Sequence, residues 1–344
     1  MTTGTVRVWR SRNERIALRW HRRPVATAGV LILLLVPLGI LALLTGSFDI
    51  TPADLWGALT GQGEPSVARV LGSIRMPRYV GGIVVGAALG VSGAVFQTIS
   101  RNPLGSPDII GFVTGAATGA VVAILVFDAP PGIVSLAAVC SGMLTAVVVG
   151  ALSLRGGTAG GYRLVLVGIG VGALLGAVND LLLTRSQRDD AIVAQIWLVG
   201  TLNGRGWPEV LPTVIAVVIL IPALLLMRRG LAALELGDGM ARQVGAPVTV
   251  VRLATIAMAV GLAAFATATA GPIAFVALAA PQLVARVGRA ASVPLVGSAA
   301  MGAALLVSAD LLSQHLPLSL MAPVGLVTGV LGGVYLLWLL SRGR

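Results

Sequence analysis

Apolar positions in this chain fall in long blocks separated by short polar breaks. The blocks cover residues 24–44, 78–100, 108–127, 132–154, 162–184, 208–227, 248–270, 273–288, 294–312 and 323–340. About 20 helical residues span a hydrocarbon core, so most of these runs are long enough to cross a bilayer. They predict ten spanning helices. Residues 45–74 are polar, hold Asp49, Asp54 and Glu64, and predict an external loop with a short helix starting at Thr51-Pro52. Asp128 to Pro131 predict a tight external turn, and residues 155–163 a glycine-rich internal loop. Residues 185–207 are mixed, with Trp197 and Trp207. They predict a short external helix whose tryptophans sit at headgroup depth. Residues 228–246 are the longest internal loop.

Proline sharpens the second break. After 78–100 the chain reads Arg101-Asn102-Pro103-Leu104, and Pro107-Asp108 open the next run. Proline lacks an N–H and fixes φ, so it ends one helix and starts another. Asn102 and Asp108 are capping residue types beside it. Ten crossings divide into two halves of five, and an odd number per half makes the halves inverted. Only a faint repeat is visible: Val85-Gly86-Ala87-Ala88 and Val260-Gly261-Leu262-Ala263 each precede a proline break. The fold class expected is an all-α polytopic membrane protein.

Composition agrees. Of 344 residues, 56% are hydrophobic and 11% charged, with a mean hydropathy of +0.95. A soluble domain would carry about 25% charged residues. The net charge of +11 raises nucleic-acid binding as a reading. Topology accounts for it instead. With seven arginines in residues 1–23 on the inside, 18 arginines fall inside and six outside: Arg69, Arg75, Arg78, Arg185, Arg188 and Arg205. That asymmetry predicts cytoplasmic termini. The first run is too long for a signal-peptide core, so it reads as an uncleaved helix. The basic residues 1–23 form a separate cytoplasmic segment, with anionic lipid as one surface for them. Residues 24–344 form one transmembrane domain.

Every basic residue is arginine. A phosphate-binding Walker loop needs a lysine, so ATP hydrolysis must belong to another subunit. The lone Cys140 and the separated His21 and His315 suggest neither metal nor catalytic dyad. No cofactor or catalytic residue is expected. Gly168, Gly170 and Gly172 lie inside an apolar run and read as helix packing, as do Gly111, Gly115 and Gly119. Asn179 and Asp180, polar within a spanning run, are candidate pathway residues. Asn203 is a weaker one. In the loop 228–246, Leu236, Met240 and Val244 are spaced by four and predict an exposed apolar face that wants a partner.

The stretch from Arg75 to Ala116, with its words RMPR, GAALGVSGAVFQ and RNPLGSPDIIGF, resembles the FecCD family. These are permeases of ATP-binding-cassette (ABC) importers for ferric siderophores, heme and cobalamin. The resemblance runs from about Pro24 to Leu340 and is nearest to the ferric-enterobactin, catecholate branch. It implies a type II importer fold in a bacterial cytoplasmic membrane. It implies two ABC ATPase subunits, an extracytoplasmic siderophore-binding protein and a second homologous permease, as a heterodimer or a homodimer. By resemblance, Arg75 and Arg78 dock the binding protein, and Asn102, Pro103 and Leu104 form the inner gate. Leu236, Gly237, Met240, Ala241, Val244 and Gly245 belong to the segment that couples to the ATPase. Three departures stand out. Ala277 stands where the family commonly has glycine, Gln282 where it usually has histidine after Pro281, and Gln314 where many members have a further external arginine. The alternatives are a heme or cobalamin permease on the same scaffold, a secondary transporter, and a polytopic membrane enzyme.

Overall fold

The computed structural model describes residues 6–10, 17–153, 161–290, 294–315 and 322–341. Arg12, Arg15, Arg155, Arg342 and Arg344, counted above, lie outside the described residues. Two strands, β1 (Val6–Arg10) and β2 (Ala17–His21), pair antiparallel. Helix α1 (Arg22–Leu44) follows directly. The loop after α1 holds two short helices, α2 (Pro52–Leu59) and α3 (Pro65–Val70). Thr51 and Asp54 close a reciprocal capping box at the start of α2, which satisfies two orphan N–H groups. A π-helical turn, Leu71–Arg75, leads into α4 (Met76–Ser100).

Then come α5 (Phe112–Leu125), α6 (Pro131–Ser153), α7 (Gly161–Arg185) and α8 (Arg188–Val199). The second half holds α9 (Trp207–Leu226), α10 (Arg228–Glu235), α11 (Asp238–Gln243) and α12 (Val248–Ala270). It ends with α13 (Val276–Gly288), α14 (Leu295–His315) and α15 (Val324–Ser341). The ten expected apolar helices are present among the described residues, but seven are long enough to cross and three are short. Helices α5 and α13 have 14 and 13 residues. At 1.5 Å per residue each reaches only about 20 Å, two-thirds of the core.

The rest of each short crossing is irregular backbone. Gly93, deep in α4, lies against Ala277 at the start of α13, so α13 begins beside the middle of α4. Gly111, just before α5, lies against Gly168 and Gly172 of α7. Helices α5 and α13 are each third in a half of five, a matched broken pair of the kind inverted repeats produce, while the third short helix, α15, closes the second half. Non-helical backbone is tolerated at such depth where protein buries it.

Helix α4 is the centre. Nearly every residue from Gly81 to Ile99 is buried, enclosed by α9, α12, α13 and α14. A helix apolar on all sides belongs inside a bundle. Small residues set its closest seam: a Cβ at Gly86 would lie 2.3 Å from the Gly302 carbonyl oxygen. By contrast α1, α6, α7 and α9 expose many apolar side chains, as lipid-facing helices do.

Candidate functional site

At the outer-predicted end, the bundle opens into a cavity of about 600 Å³ lined by Arg75, Arg78, Tyr79, Thr201, Asn203, Asp310 and Gln314, among others. The two arginines point different ways. Arg78 Nε and Nη2 donate to Asp310 Oδ2 and Oδ1 at 2.8 and 2.9 Å. This is a bidentate pair, the strong geometry for guanidinium and carboxylate. Gln314 Nε2 donates to Asp310 Oδ2 at 3.1 Å from one turn later. Arg75 is buried; it donates to the Leu43 carbonyl at 2.6 Å and to the Phe48 carbonyl. Its donors hold the start of the external loop, so in this conformation Arg75 offers no free face to a partner. Of the two arginines named for docking, only Arg78 is partly open. The π-helical turn ending at Arg75 re-aims that side chain relative to Arg78.

Beside this cavity, whose lining includes Thr201 and Val324, three helix breaks meet. Gly325 N–H at the start of α15 donates to Gly200 O at 3.1 Å, and Thr201 N–H to Ala270 O at 2.6 Å. Gly200 and Gly271 hold φ of +79° and +74° and lie against each other's segments, a backbone region glycine enters without strain. Asp108, in the irregular lead-in to α5, lines a cavity of about 260 Å³ beside Pro272, Ala274, Leu198 and Gly325. Its Oδ1 is buried without a partner. Trp197, expected at headgroup depth, is buried against α5, α6 and α12, packed with Ala116, Ala120, Val134 and Ala268. Trp207 sits near the surface, donating from Nε1 to Gly72 O at 2.8 Å.

The opposite end holds the inner turn. Arg101 ends α4 in the left-handed region, φ +50°. Asn102 Oδ1 accepts from Leu104 N–H at 2.9 Å, so Asn102 closes its own turn rather than capping a helix. Asn102 and Leu104 are exposed. Two glutamines brace this turn to α13: Gln97 Nε2 donates to Leu278 O at 3.0 Å, and Gln282 Nε2 to Pro103 O. The amide at position 282 thus supplies a donor to the backbone of this turn.

Beside the turn stand α10 and α11. Leu236, Met240 and Val244 are 65%, 57% and 66% exposed, while Ala241 between them is buried. The i, i+4 spacing therefore makes the open apolar face expected. Gly237 and Gly245, φ +97° and +78°, bound the segment. Asp238 accepts from Arg252 Nη2 at 2.5 Å, and Thr98 Oγ1 of α4 approaches Glu235 at 3.4 Å. The Arg252 hydrogen bond holds the Asp238 carboxyl below its usual range, with Arg101 and Arg242 adding to it. Gly237 also packs beside the Arg101 guanidinium, which joins this segment to the inner turn.

Asn203 lines the outer cavity with the arginines. Asn179 and Asp180 stand apart on α7: Asn179 is buried with an unpartnered Oδ1, and Asp180 is exposed. Asp310, Gln97 and the meeting of breaks were not anticipated. The signal for Asp310 was available, since an acid in an apolar helix calls for a cation.

A model of the FecCD transport family matches residues 32–342. The ferric enterobactin transport system permease protein FepG of Escherichia coli (strain K12) is 41% identical, covering 93% of this chain and 97% of that protein. The achromobactin transport system permease protein CbrC of Dickeya dadantii (strain 3937) is 33% identical, covering 98% and 97%. Among solved structures, an inward-facing ABC transporter described as metal-chelate type superposes with a TM-score of 0.83 at 25% identity, covering 92% of this chain and 99% of that one.

Proposed function

The chain belongs to the FecCD transport family, and from that premise we propose that it is the permease of an ABC importer that moves a ferric siderophore of the catecholate class across a bacterial cytoplasmic membrane. The observation that carries the substrate class is the 41% identity, over nearly the whole length, to a permease named for ferric enterobactin. The chain transports and performs no covalent chemistry. ATP is hydrolysed on partner subunits.

In this reading the arginine asymmetry puts both termini and α11 in the cytoplasm. A loaded binding protein docks over the outer cavity. Arg78 is the docking cation, and docking exchanges Asp310 for a carboxylate of the partner. Arg75 shapes the loop that frames the mouth. Leu236, Met240 and Val244, with Gly237, Ala241 and Gly245 setting the backbone, seat in a groove of the ATPase. Its movement reaches the inner gate, Asn102 to Leu104, through Gly237 and Arg101. A second homologous permease covers the open side of α7, where Asp180 faces the shared pathway with Asn179 buried behind it, and Asn203 stands at its mouth. The loaded binding protein and ATP act by preferring different conformations.

Growth of a strain lacking this chain tests the reading, with a ferric catecholate, a ferric hydroxamate or heme as the sole iron source. Failure on the catecholate alone, repaired by the wild-type chain, is expected. Failure on heme alone, or impaired cobalamin uptake, would keep the permease and overturn the substrate class.

A further inference from the structure

We propose that the end of the bundle bearing α11 carries a site for an anionic phospholipid headgroup, built from Arg22 and Arg23 of α1, Arg286 and Arg289 at the end of α13, and Trp338 of α15. Three segments distant in sequence meet there. Helices α1 and α13 pack together, and Gly288 approaches so closely that a Cβ on it would lie 3.4 Å from Pro24 Cα. That contact sets Arg22 and Arg23 on one side of the seam and Arg286 and Arg289 on the other. Arg286 lies over the Trp338 ring, 5.8 Å from its centroid, and Tyr335 stacks on the same ring at 6.1 Å. A cation held over an aromatic face is pre-positioned.

All four guanidiniums are exposed. The ion pairs among the described residues engage Arg78 and Arg252, and none engages these four. Four like charges at one seam, with no ion-pair partner among the described residues, call for an external anion. The surroundings decide its kind. Val25, Val287 and Leu337, next to these residues in sequence, are 56%, 64% and 71% exposed. Cations over an apolar, open flank match a molecule with an anionic head and acyl chains. A soluble anion or an acidic protein would leave that flank bare. Basic pockets between helix ends at a membrane surface bind such lipids.

The test uses the full-length chain, extracted in mild detergent and offered dioleoyl phosphatidylglycerol or dioleoyl phosphatidylcholine. Retained lipid is counted by native mass spectrometry. The wild type should retain the phosphatidylglycerol in preference. Near a membrane surface each arginine is worth about fivefold in affinity, so Arg286→Gln/Arg289→Gln should weaken retention ~25-fold. Arg22→Gln/Arg23→Gln should do the same from the other side of the seam, which keeps the test informative if one pair misfolds. Arg228→Gln/Arg229→Gln, removing equal charge from exposed positions of α10, should change little. Undiminished retention in both Gln pairs would overturn the site. So would an equal loss in the α10 control, which would mean that net charge alone holds the lipid.

Discussion

Replacing Gly86 by alanine tests the packing on which the bundle is centred. The added Cβ would lie 2.3 Å from Gly302 O, 2.7 Å from Gly302 C and 2.8 Å from Ala303 Cα. Ordinary contact begins at 3.4 Å, so α4 and α14 must separate by about 1.1 Å locally. Every atom met is backbone, and no side chain can rotate away. Overpacking of a tight core costs ~1–3 kcal/mol, and a rigid wall on both sides puts this case near the top. The reverse substitution is equally tight, since a Cβ on Gly302 would lie 2.1 Å from Gly86 O. One separation of the helices accommodates both methyl groups. The double variant Gly86→Ala/Gly302→Ala should therefore cost clearly less than the two singles together. Gly176→Ala is the control, because its Cβ would meet nothing within 4 Å. It should be neutral or stabilising by about 0.5–1 kcal/mol through helix propensity. The assay is survival of the monodisperse peak after heating in detergent, read as relative midpoints because membrane-protein unfolding is commonly irreversible. A Gly86→Ala midpoint equal to that of wild type would refute the seam.

Leu236→Asp/Met240→Asp should release the ATPase subunit from the purified complex while leaving the permease folded, because both side chains are solvent-exposed; an intact complex on a gel-filtration column would remove the coupling assignment. Asp310→Asn should destabilise the chain by ~1–3 kcal/mol, less than a fully buried pair because Arg78 is partly exposed. Adding Arg78→Gln should recover part of that loss, and thermal midpoints for the four-member cycle give the coupling. The lowered Asp238 carboxyl contributes stability that is fully present above the ordinary carboxylate value, about 4, and is lost as pH falls through its folded value. The stability difference between wild type and Arg252→Gln, followed by thermal melts, should therefore be full at pH 7 and shrink below about pH 4. A constant difference would mean that Arg252 does not stabilise the chain through Asp238.

Block hydropathy located the ten apolar helices because burial in lipid demands unbroken runs, and proline marked the breaks between them. It could not show that α5 and α13 are short. A run of apolar residues has the same composition whether it winds as helix or passes as irregular backbone, so 108–111 and 273–275 carry the same signal as the helices they adjoin. Helix α3 leaves no apolar block inside the polar loop, and the N-terminal basic segment shows its charge but not the pairing of β1 with β2. The exposed face at Leu236, Met240 and Val244 was legible because its geometry is local. Arg78 with Asp310 was not: 232 residues separate them. Arg75 illustrates the same limit in the opposite direction. Its residue type and position suggested a surface role, and its burial depends on carbonyls 27 and 32 residues earlier.

The central claim is ATP-driven import of a ferric catecholate through this chain. Its most direct test is uptake of labelled iron into proteoliposomes holding the chain, its second permease and the ATPase, with the binding protein and ferric enterobactin outside. Accumulation should require ATP on the ATPase side and fall sharply with Leu236→Asp/Met240→Asp. Accumulation driven by an ion gradient without ATP would contradict the claim, as would a complex that passes heme or cobalamin but no ferric catecholate.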